Sequence, residues 1–169
     1  LEEDCIPSIE FFIFCSELLK RYKDNRNIWS ISGNNFQEGK LRGQGSYYFS
    51  KYFHCWGWAT WQDRWVNFDS DLTSWNFSDK EILIKSIFNR KKEQKYWSKI
   101  FNNLLYKEKP DSWAYRWAFS CFINNGLSII PNKNLVQNIG FDEDATNTKR
   151  FPIKTEICYG LIPLKHPDD

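Results

Sequence analysis

Helical segments alternate with short apolar strands along this 169-residue chain, and the alternation is the feature that most narrows its fold. Ser8 can cap a first helix, whose apolar side chains repeat at helical spacing as far as Tyr22. Three short apolar stretches are predicted as strands: Ile28 to Ser32, Tyr47 to Phe49, and Leu127 to Ile130. The pattern predicts an α/β or α+β domain with a mixed sheet and flanking helices, and the chain is long enough for one such domain with a core.

Further helices are predicted in the middle of the chain. Ser78-Asp79-Lys80-Glu81 matches a capping box, with Ser78 as the expected cap. The most regular helical pattern follows, with apolar side chains repeating from Tyr96 to Leu105. Ser112 can cap another helix, which Asn125-Gly126 would end. Beyond Val136 the periodicity is lost, so no further element is predicted there.

Aromatic residues are unusually abundant, with nine Trp, eight Tyr and fourteen Phe. Such rings either fill a core or line a sugar site, because the apolar faces of pyranoses stack on flat rings, and composition alone does not choose between the two. The formal charge of +2 comes from 23 basic and 21 acidic side chains. A balance this close lacks the positive groove that nucleic-acid binding would need, so no nucleic-acid partner is expected.

The five cysteines are odd in number, scattered, and contain no CxxC pair. This disfavours a disulfide framework and a zinc site, so all five are predicted to be small core residues of a cytoplasmic protein. No stretch approaches the roughly 20 apolar residues that span a bilayer, so no transmembrane segment is expected in this chain.

The chain opens with three consecutive carboxylates, Glu2-Glu3-Asp4, just before the first helix. If they end a strand at a sheet edge, their oxygens are suitable ligands for a hard cation such as Mn²⁺ or Mg²⁺. Taken alone, the same three acids more often form a solvated turn. Further motifs are needed to decide between the two interpretations.

Those motifs carry a family resemblance. The segments concerned are Glu2-Glu3-Asp4 with Pro7, Ser30-Ile31-Ser32-Gly33, His54-Cys55-Trp56-Gly57-Trp58-Ala59-Thr60-Trp61, Trp113 to Trp117, and Asn138-Ile139-Gly140 with Asp144-Ala145-Thr146. In this order they resemble bacterial family 2-like glycosyltransferases and, more loosely, the family 13 N-acetylglucosaminyltransferases. The resemblance covers roughly residues 1 to 148, the tail from 149 to 169 adds little, and the run from His54 to Trp61 is its most specific part.

The resemblance implies the acceptor-side, C-terminal half of a GT-A domain, with residues 1 to 169 forming one domain. The nucleotide-binding half would lie upstream, in a protein that is cytoplasmic, free or peripheral to the inner membrane. By this mapping Asp4 binds the metal directly, Glu2 lies nearer the ribose or a metal-bound water, and Glu3 belongs to the donor site. The implied reaction is transfer of a sugar, with inversion, from a nucleotide donor such as a UDP-sugar to a saccharide hydroxyl, with Mn²⁺ or Mg²⁺ as cofactor.

Two positions depart from the family pattern. The resemblance implies an acid that acts as general base where this chain has Ala114, and a methyl group cannot accept a proton. Asp111 is the predicted substitute, with the acids between 142 and 144 as an alternative. At the donor site, Asn147 stands where relatives commonly have His. These departures favour a rival, a non-catalytic carbohydrate-binding protein, whereas the retained acids favour the enzyme.

The acceptor site is expected around His54, Trp56, Gly57, Trp58 and Trp113. His54 can donate a hydrogen bond to a sugar, although a half-buried His at a strand end is the commoner role. For Trp56 and Trp58, sugar stacking and core packing are equally well supported. The remaining tryptophans with an assignment are predicted to lie in the core: Trp61, Trp65, Trp97 and Trp117.

Overall fold

The computed structural model describes residues 1–140 and 156–167. Within them the elements are, in chain order, β1 (Cys5–Pro7), α1 (Ile9–Arg21), β2 (Ile28–Ser32), β3 (Tyr47–Ser50), β4 (Trp58–Ala59), α2 (Gln62–Trp65), α3 (Thr73–Phe77), α4 (Lys80–Ile87), α5 (Lys91–Lys107), α6 (Trp113–Ile123), β5 (Leu127–Pro131) and β6 (Val136–Asn138).

Four of the strands form a mixed sheet in the order β3-β5-β2-β4. The central pair, β2 and β5, is parallel, with Ile31 opposite Ile129, and the outer pairs are antiparallel. β1 and β6 form a separate antiparallel pair in which Cys5 lies opposite Asn138. The predicted α/β class with a mixed sheet is therefore confirmed, as are the three predicted strands.

One core lies between the sheet and α1. Helix α1 begins as predicted, because the Ser8 hydroxyl accepts the Phe11 N–H at 3.3 Å. All five residues of β2 are buried, and the hydroxyls of Ser30 and Ser128 pair at 2.7 Å across the parallel strands. We call this the sheet core; its main side chains are Phe11, Phe14, Leu18, Ile28, Ile31, Ile129 and Val136.

A second core lies among the helices α3 to α6 and consists largely of aromatic rings. The Phe101 ring packs edge-on against Trp75 at 5.3 Å and Phe119 at 4.8 Å between ring centres. We call this the helical core; its main side chains are Leu72, Trp75, Ile84, Phe88, Phe101, Leu104, Phe119 and Phe122.

A third group of rings, here called the aromatic joint, is formed by Trp29, Trp58, Trp113 and Trp117 with Phe53 and Phe68. Trp117 is fully buried, as predicted. The core prediction is wrong for Trp65: its ring packs on Phe68 and Trp117, but the short helix α2 holds it at the edge of the aromatic joint, where it is 39% exposed.

A buried arginine ties the turn after α1 to α2. Arg64 is 2% exposed, and its guanidinium donates to the carbonyl groups of Lys23 at 2.8 Å and Asn25 at 3.1 Å. It also pairs with the Asp63 carboxylate at 2.7 Å and lies over the Trp61 ring. Backbone carbonyls that would otherwise be buried without partners are thereby satisfied.

Three local predictions are corrected. The acids Glu2-Glu3-Asp4 form a turn before β1 and do not end a strand, since β1 begins at Cys5. Asp79, not Ser78, caps α4, because its carboxylate accepts the N–H groups of Glu81 and Ile82. No element was predicted after Val136, but β6 forms there. It pairs with β1, which is remote in the chain, so a local pattern in the sequence does not reveal it.

The cysteines are all free thiols. Cys5, Cys15 and Cys121 are buried as predicted, whereas Cys158 is exposed and Cys55 only partly buried, so the core prediction is wrong for Cys158. No helix within residues 1–140 and 156–167 is long and apolar enough to cross a membrane.

Candidate functional site

A cavity of about 500 Å³ lies between the sheet core and the helical core. One side, here called the sheet wall, consists of Glu2, Glu3, Asp4, Asn34, Phe36, Phe53, His54, Cys55, Trp56, Asn138 and Gly140. The other side, the helical wall, consists of Trp97, Pro110, Ser112, Ala114, Tyr115 and Ala118. Segments that lie far apart in the sequence therefore meet at one opening.

The acidic turn lies at this cavity and is fixed by hydrogen bonds. One ligand atom from each of Glu2, Asp4 and Cys5 can be chosen so that all three lie within 4.8 Å of one another. The Glu2 carboxylate accepts the Trp113 indole N–H at 3.2 Å, and the Asp4 carboxylate accepts the Asn138 side-chain amide at 3.1 Å. Each carboxylate oxygen has more than one lone pair, so these bonds leave capacity for a further partner.

Asn138 and Gly140 hold Asp4 in place. The Gly140 N–H donates to the Asn138 side-chain oxygen at 2.7 Å, and the Ile139 N–H donates to the Asp4 carbonyl at 2.8 Å. A Cβ atom at Gly140 would lie 2.3 Å from the Asp4 carboxylate. Only glycine lets the chain pass this close to the acid.

The donor set suits a hard cation. Glu2 and Asp4 supply carboxylate oxygens, the ligand type that Mn²⁺ and Mg²⁺ prefer. Burial, together with the neighbouring carboxylate of Asp4, raises the pKa of the Cys5 thiol to about 11. The thiol donates to the Asp4 carboxylate, and sulfur is a softer ligand than a hard cation prefers, so Glu2 and Asp4 are the two residues that fit such a metal.

His54 and Trp56 both line the cavity. The Nδ1–H of His54 donates to the Asn34 carbonyl at 3.2 Å, and burial lowers the pKa of the imidazole. The ring is therefore neutral near pH 7, with Nε2 unprotonated. Phe36 lies between the two, with its ring centre 4.9 Å from that of His54 and 5.0 Å from that of Trp56.

The other three residues expected at the acceptor site lie outside this cavity's lining. Gly57 has a φ of +61°, and a Cβ atom there would lie 2.6 Å from a Val136 methyl group, so it serves the close packing of β4 against β6. Trp58 stacks on Trp113 in the aromatic joint at 5.1 Å. Trp113 contacts the lining through its indole bond to Glu2 and through its ring, whose centre lies 6.0 Å from that of Phe53.

The two positions considered for the base, Ala114 and Asp111, line different cavities. Ala114 lines the cavity, so a carboxylate at this position would face into it. Asp111 instead lines a neighbouring cavity of about 350 Å³, which shares Pro110 and Ser112 with the first. Asn147 and the acids between 142 and 144 lie outside the described residues.

One residue of the sheet wall was not singled out by its sequence. Asn34 follows Gly33 directly after β2, is fully buried and lines the cavity. Its side-chain amide has no hydrogen-bond partner in the described part of the chain. The available signal was its position in a polar loop that follows a strand made of apolar residues and serines.

No family model matches the chain, and neither a curated protein nor a solved structure gives a significant match. What the protein does is therefore argued from the cavity and from the motifs that line it.

Proposed function

We propose that the chain is the acceptor-side half of a GT-A glycosyltransferase that moves a sugar, with inversion, from a nucleotide donor to a saccharide hydroxyl in the cytoplasm. The supporting observation is that three motif segments far apart in sequence line one cavity. They are the acidic turn at Glu2-Glu3-Asp4, the segment His54-Cys55-Trp56, and the start of α6 at Ala114. These are the segments that such an enzyme uses for donor, acceptor and base.

On the donor side, Glu2 and Asp4 would hold Mn²⁺ or Mg²⁺. A bound cation stabilises the negative charge that develops on the departing diphosphate. Glu3 is exposed at the rim of the cavity, where it can contact the donor, a UDP-sugar in this proposal. Asn147 belongs to the same side, and the nucleotide-binding half would complete it.

On the acceptor side, the cavity has the size and character of a sugar subsite. Its volume of about 500 Å³ lies within the range of small-molecule pockets. Trp56 and Phe36 offer apolar ring surface, and His54 offers an unprotonated nitrogen. In this proposal the acceptor saccharide binds against the sheet wall.

The reaction needs a base for the acceptor proton, and two residues are candidates. Asp111 lies beyond Pro110 and Ser112 in the neighbouring cavity, whereas neutral His54 lies in the main one. A general base contributes roughly 10²- to 10⁴-fold to the rate. Loss of about a hundredfold in turnover in either Asp111→Asn or His54→Asn would identify the base.

One observation favours a second candidate function, a non-catalytic carbohydrate-binding protein. The position that faces the cavity at the start of α6 carries the methyl group of Ala114, which has no proton chemistry. In that case the acids would serve no transfer step, and only saccharides would bind.

The test is calorimetric titration of UDP with Mn²⁺ into the full-length protein. Asp4→Asn keeps the shape of the side chain and its oxygen acceptor but removes the charge, so we expect metal-dependent UDP binding to be lost. Asp71→Asn is the matched control, because Asp71 is exposed and does not line the cavity. If native protein and both variants fail to bind UDP but bind saccharides, the carbohydrate-binding alternative replaces the transferase.

A further inference from the structure

We infer that Asn34 holds the acceptor, its side-chain amide pairing with two adjacent hydroxyl groups of an uncharged saccharide. This role rests on the proposed function, since the cavity is taken to contain the acceptor sugar. It adds a specificity-determining residue and a chemical class of acceptor.

The first observation is the unpaired amide itself. Asn34 is fully buried, and neither its side-chain nitrogen nor its oxygen has a hydrogen-bond partner within residues 1–140 and 156–167. Buried polar groups in folded proteins are overwhelmingly paired, and each unpaired one costs about 1–3 kcal/mol. A costly unpaired amide that lines a cavity indicates a partner that arrives with the ligand.

The second observation is that the neighbouring asparagines are paired. The Asn35 side chain donates to the Pro131 carbonyl at 2.5 Å and accepts the Gln37 N–H at 2.6 Å. The Asn134 side-chain oxygen accepts the Asn35 N–H at 2.9 Å. The fold therefore satisfies the side-chain amides next to Asn34; within the described residues the other buried side-chain group without a partner is the Trp117 indole N–H, in the aromatic joint.

The third observation is that the backbone on both sides of Asn34 is fixed. Its own carbonyl accepts the His54 Nδ1–H, and the Gly33 N–H donates to the Gly57 carbonyl at 2.7 Å. Gly33 is also packed against Phe11 and Val136, where a Cβ atom would lie within 2.7 Å of either side chain. The amide is therefore held at a defined point of the sheet wall.

The chemistry of this point suits adjacent hydroxyl groups. An amide presents one acceptor and one NH₂ donor side by side, and two neighbouring hydroxyls can each donate or accept to match them. Phe36 and Trp56 supply apolar surface for the sugar ring. In the metal-free protein the carboxylates of Glu2 and Asp4 on the same wall would repel an anionic sugar, so an uncharged saccharide is the class that fits this point.

Binding requires a small movement. Both amide atoms are shielded in the free protein, so a lining side chain must turn aside before a hydroxyl can reach them.

The test uses Asn34→Leu in the full-length protein, with three probes: methyl β-D-glucopyranoside, methyl β-D-galactopyranoside and methyl α-D-mannopyranoside. We expect at least one glycoside to bind the native protein and to bind the variant at least tenfold more weakly. We also expect the variant's Tm to be unchanged or higher, because leucine has a similar volume and removes an unpaired amide. Asn35→Leu is the structural control and should lower the Tm.

A second measurement covers a variant that fails to fold. In the native protein, the ¹⁵N-labelled side-chain amide resonances of Asn34 should shift during the glycoside titration. Unchanged affinity in Asn34→Leu, unshifted Asn34 resonances, or no binding of any of the three glycosides would overturn the inference. Glycoside binding that depends on Asn34, without UDP binding, would sustain the inference and overturn the transferase.

Discussion

The two walls of the cavity are held in different ways. On the sheet wall, hydrogen bonds fix single atoms: Asn138 binds the Asp4 carboxylate, and His54 binds the Asn34 carbonyl. On the helical wall, Trp97 is held by ring packing against Phe101 at 5.5 Å and Phe122 at 4.9 Å. Hydrogen bonds fix the orientation of the groups that they join, so the sheet wall is the side suited to orient a ligand. Ring packing depends mainly on the volume of the side chains, so the helical wall is the side suited to accept substitutions.

The largest effect is expected beside the sheet core, from Arg64→Met. The variant keeps much of the side-chain volume but leaves the carbonyls of Lys23 and Asn25 without their donor. We expect the free energy of unfolding in urea to fall by about 3–5 kcal/mol. Arg42→Met, at an exposed arginine, should cost less than about 1 kcal/mol. Equal losses in the two variants would contradict the role given to Arg64.

The next effect is expected on the helical wall, from Ala114→Asp. The new carboxylate would face the cavity at the position where the proposed transferase lacks a base, so under that proposal turnover of a UDP-sugar by the full-length protein should rise by roughly a hundredfold. Stability should change little if this wall tolerates substitution. Unchanged turnover would instead direct attention to Asp111, to His54 or to the acids between 142 and 144.

A smaller effect is expected inside the helical core, from Phe101→Leu. Phe101 is fully buried among Trp75, Trp97 and Phe119, but leucine remains apolar and the surrounding rings can repack. We expect a loss of about 1–2 kcal/mol in urea unfolding, with metal-dependent UDP binding retained. A loss as large as that of Arg64→Met would remove the contrast between the two sides.

The smallest effect is a pH dependence that arises from His54. Burial lowers its pKa in the folded state, so below about pH 6.5 the unfolded chain binds a proton that the folded protein does not. Its contribution to stability is therefore present above that pH and is lost as the pH falls towards the lowered pKa. In urea unfolding between pH 5 and pH 8, the free energy of unfolding should depend less on pH in His54→Asn than in the native protein. An identical pH dependence in the two proteins would contradict this role of His54.

Local elements of the fold could be predicted from the sequence because their signals are local. The Ser8 cap, the periodic face of α1 and the run from Tyr96 to Leu105 in α5 all depend on residues within a few positions of one another. The pairing of β1 with β6 could not be predicted, since it joins Cys5 to Asn138, 133 residues further along the chain. The cap of α4 moved by one residue because Ser78 and Asp79 are both good capping residues.

The candidate site was predictable to the extent that it carries motifs. The acidic turn, His54, Trp56 and Ala114 stand in recognisable segments, and all of them line the cavity. Asn34 does not stand out, because an asparagine after a glycine is ordinary in a loop and only the three-dimensional structure reveals an amide without a partner. Trp58 lies in the aromatic joint. The sequence could not predict this, because it does not distinguish a ring that packs in a core from a ring that binds a ligand.

The parallel pairing of β2 with β5 also affects when β2 can fold during synthesis of the chain. Ser30 and Ser128, which bond across these strands, are 98 residues apart, and a ribosome adds about 5–20 residues per second. Strand β2, which is buried along its whole length in the folded protein, is therefore synthesised roughly 5 to 20 s before its parallel neighbour β5. During that interval β2 is an exposed template for aggregation, and co-translational chaperone binding to Ile28–Ser32 would protect the nascent chain.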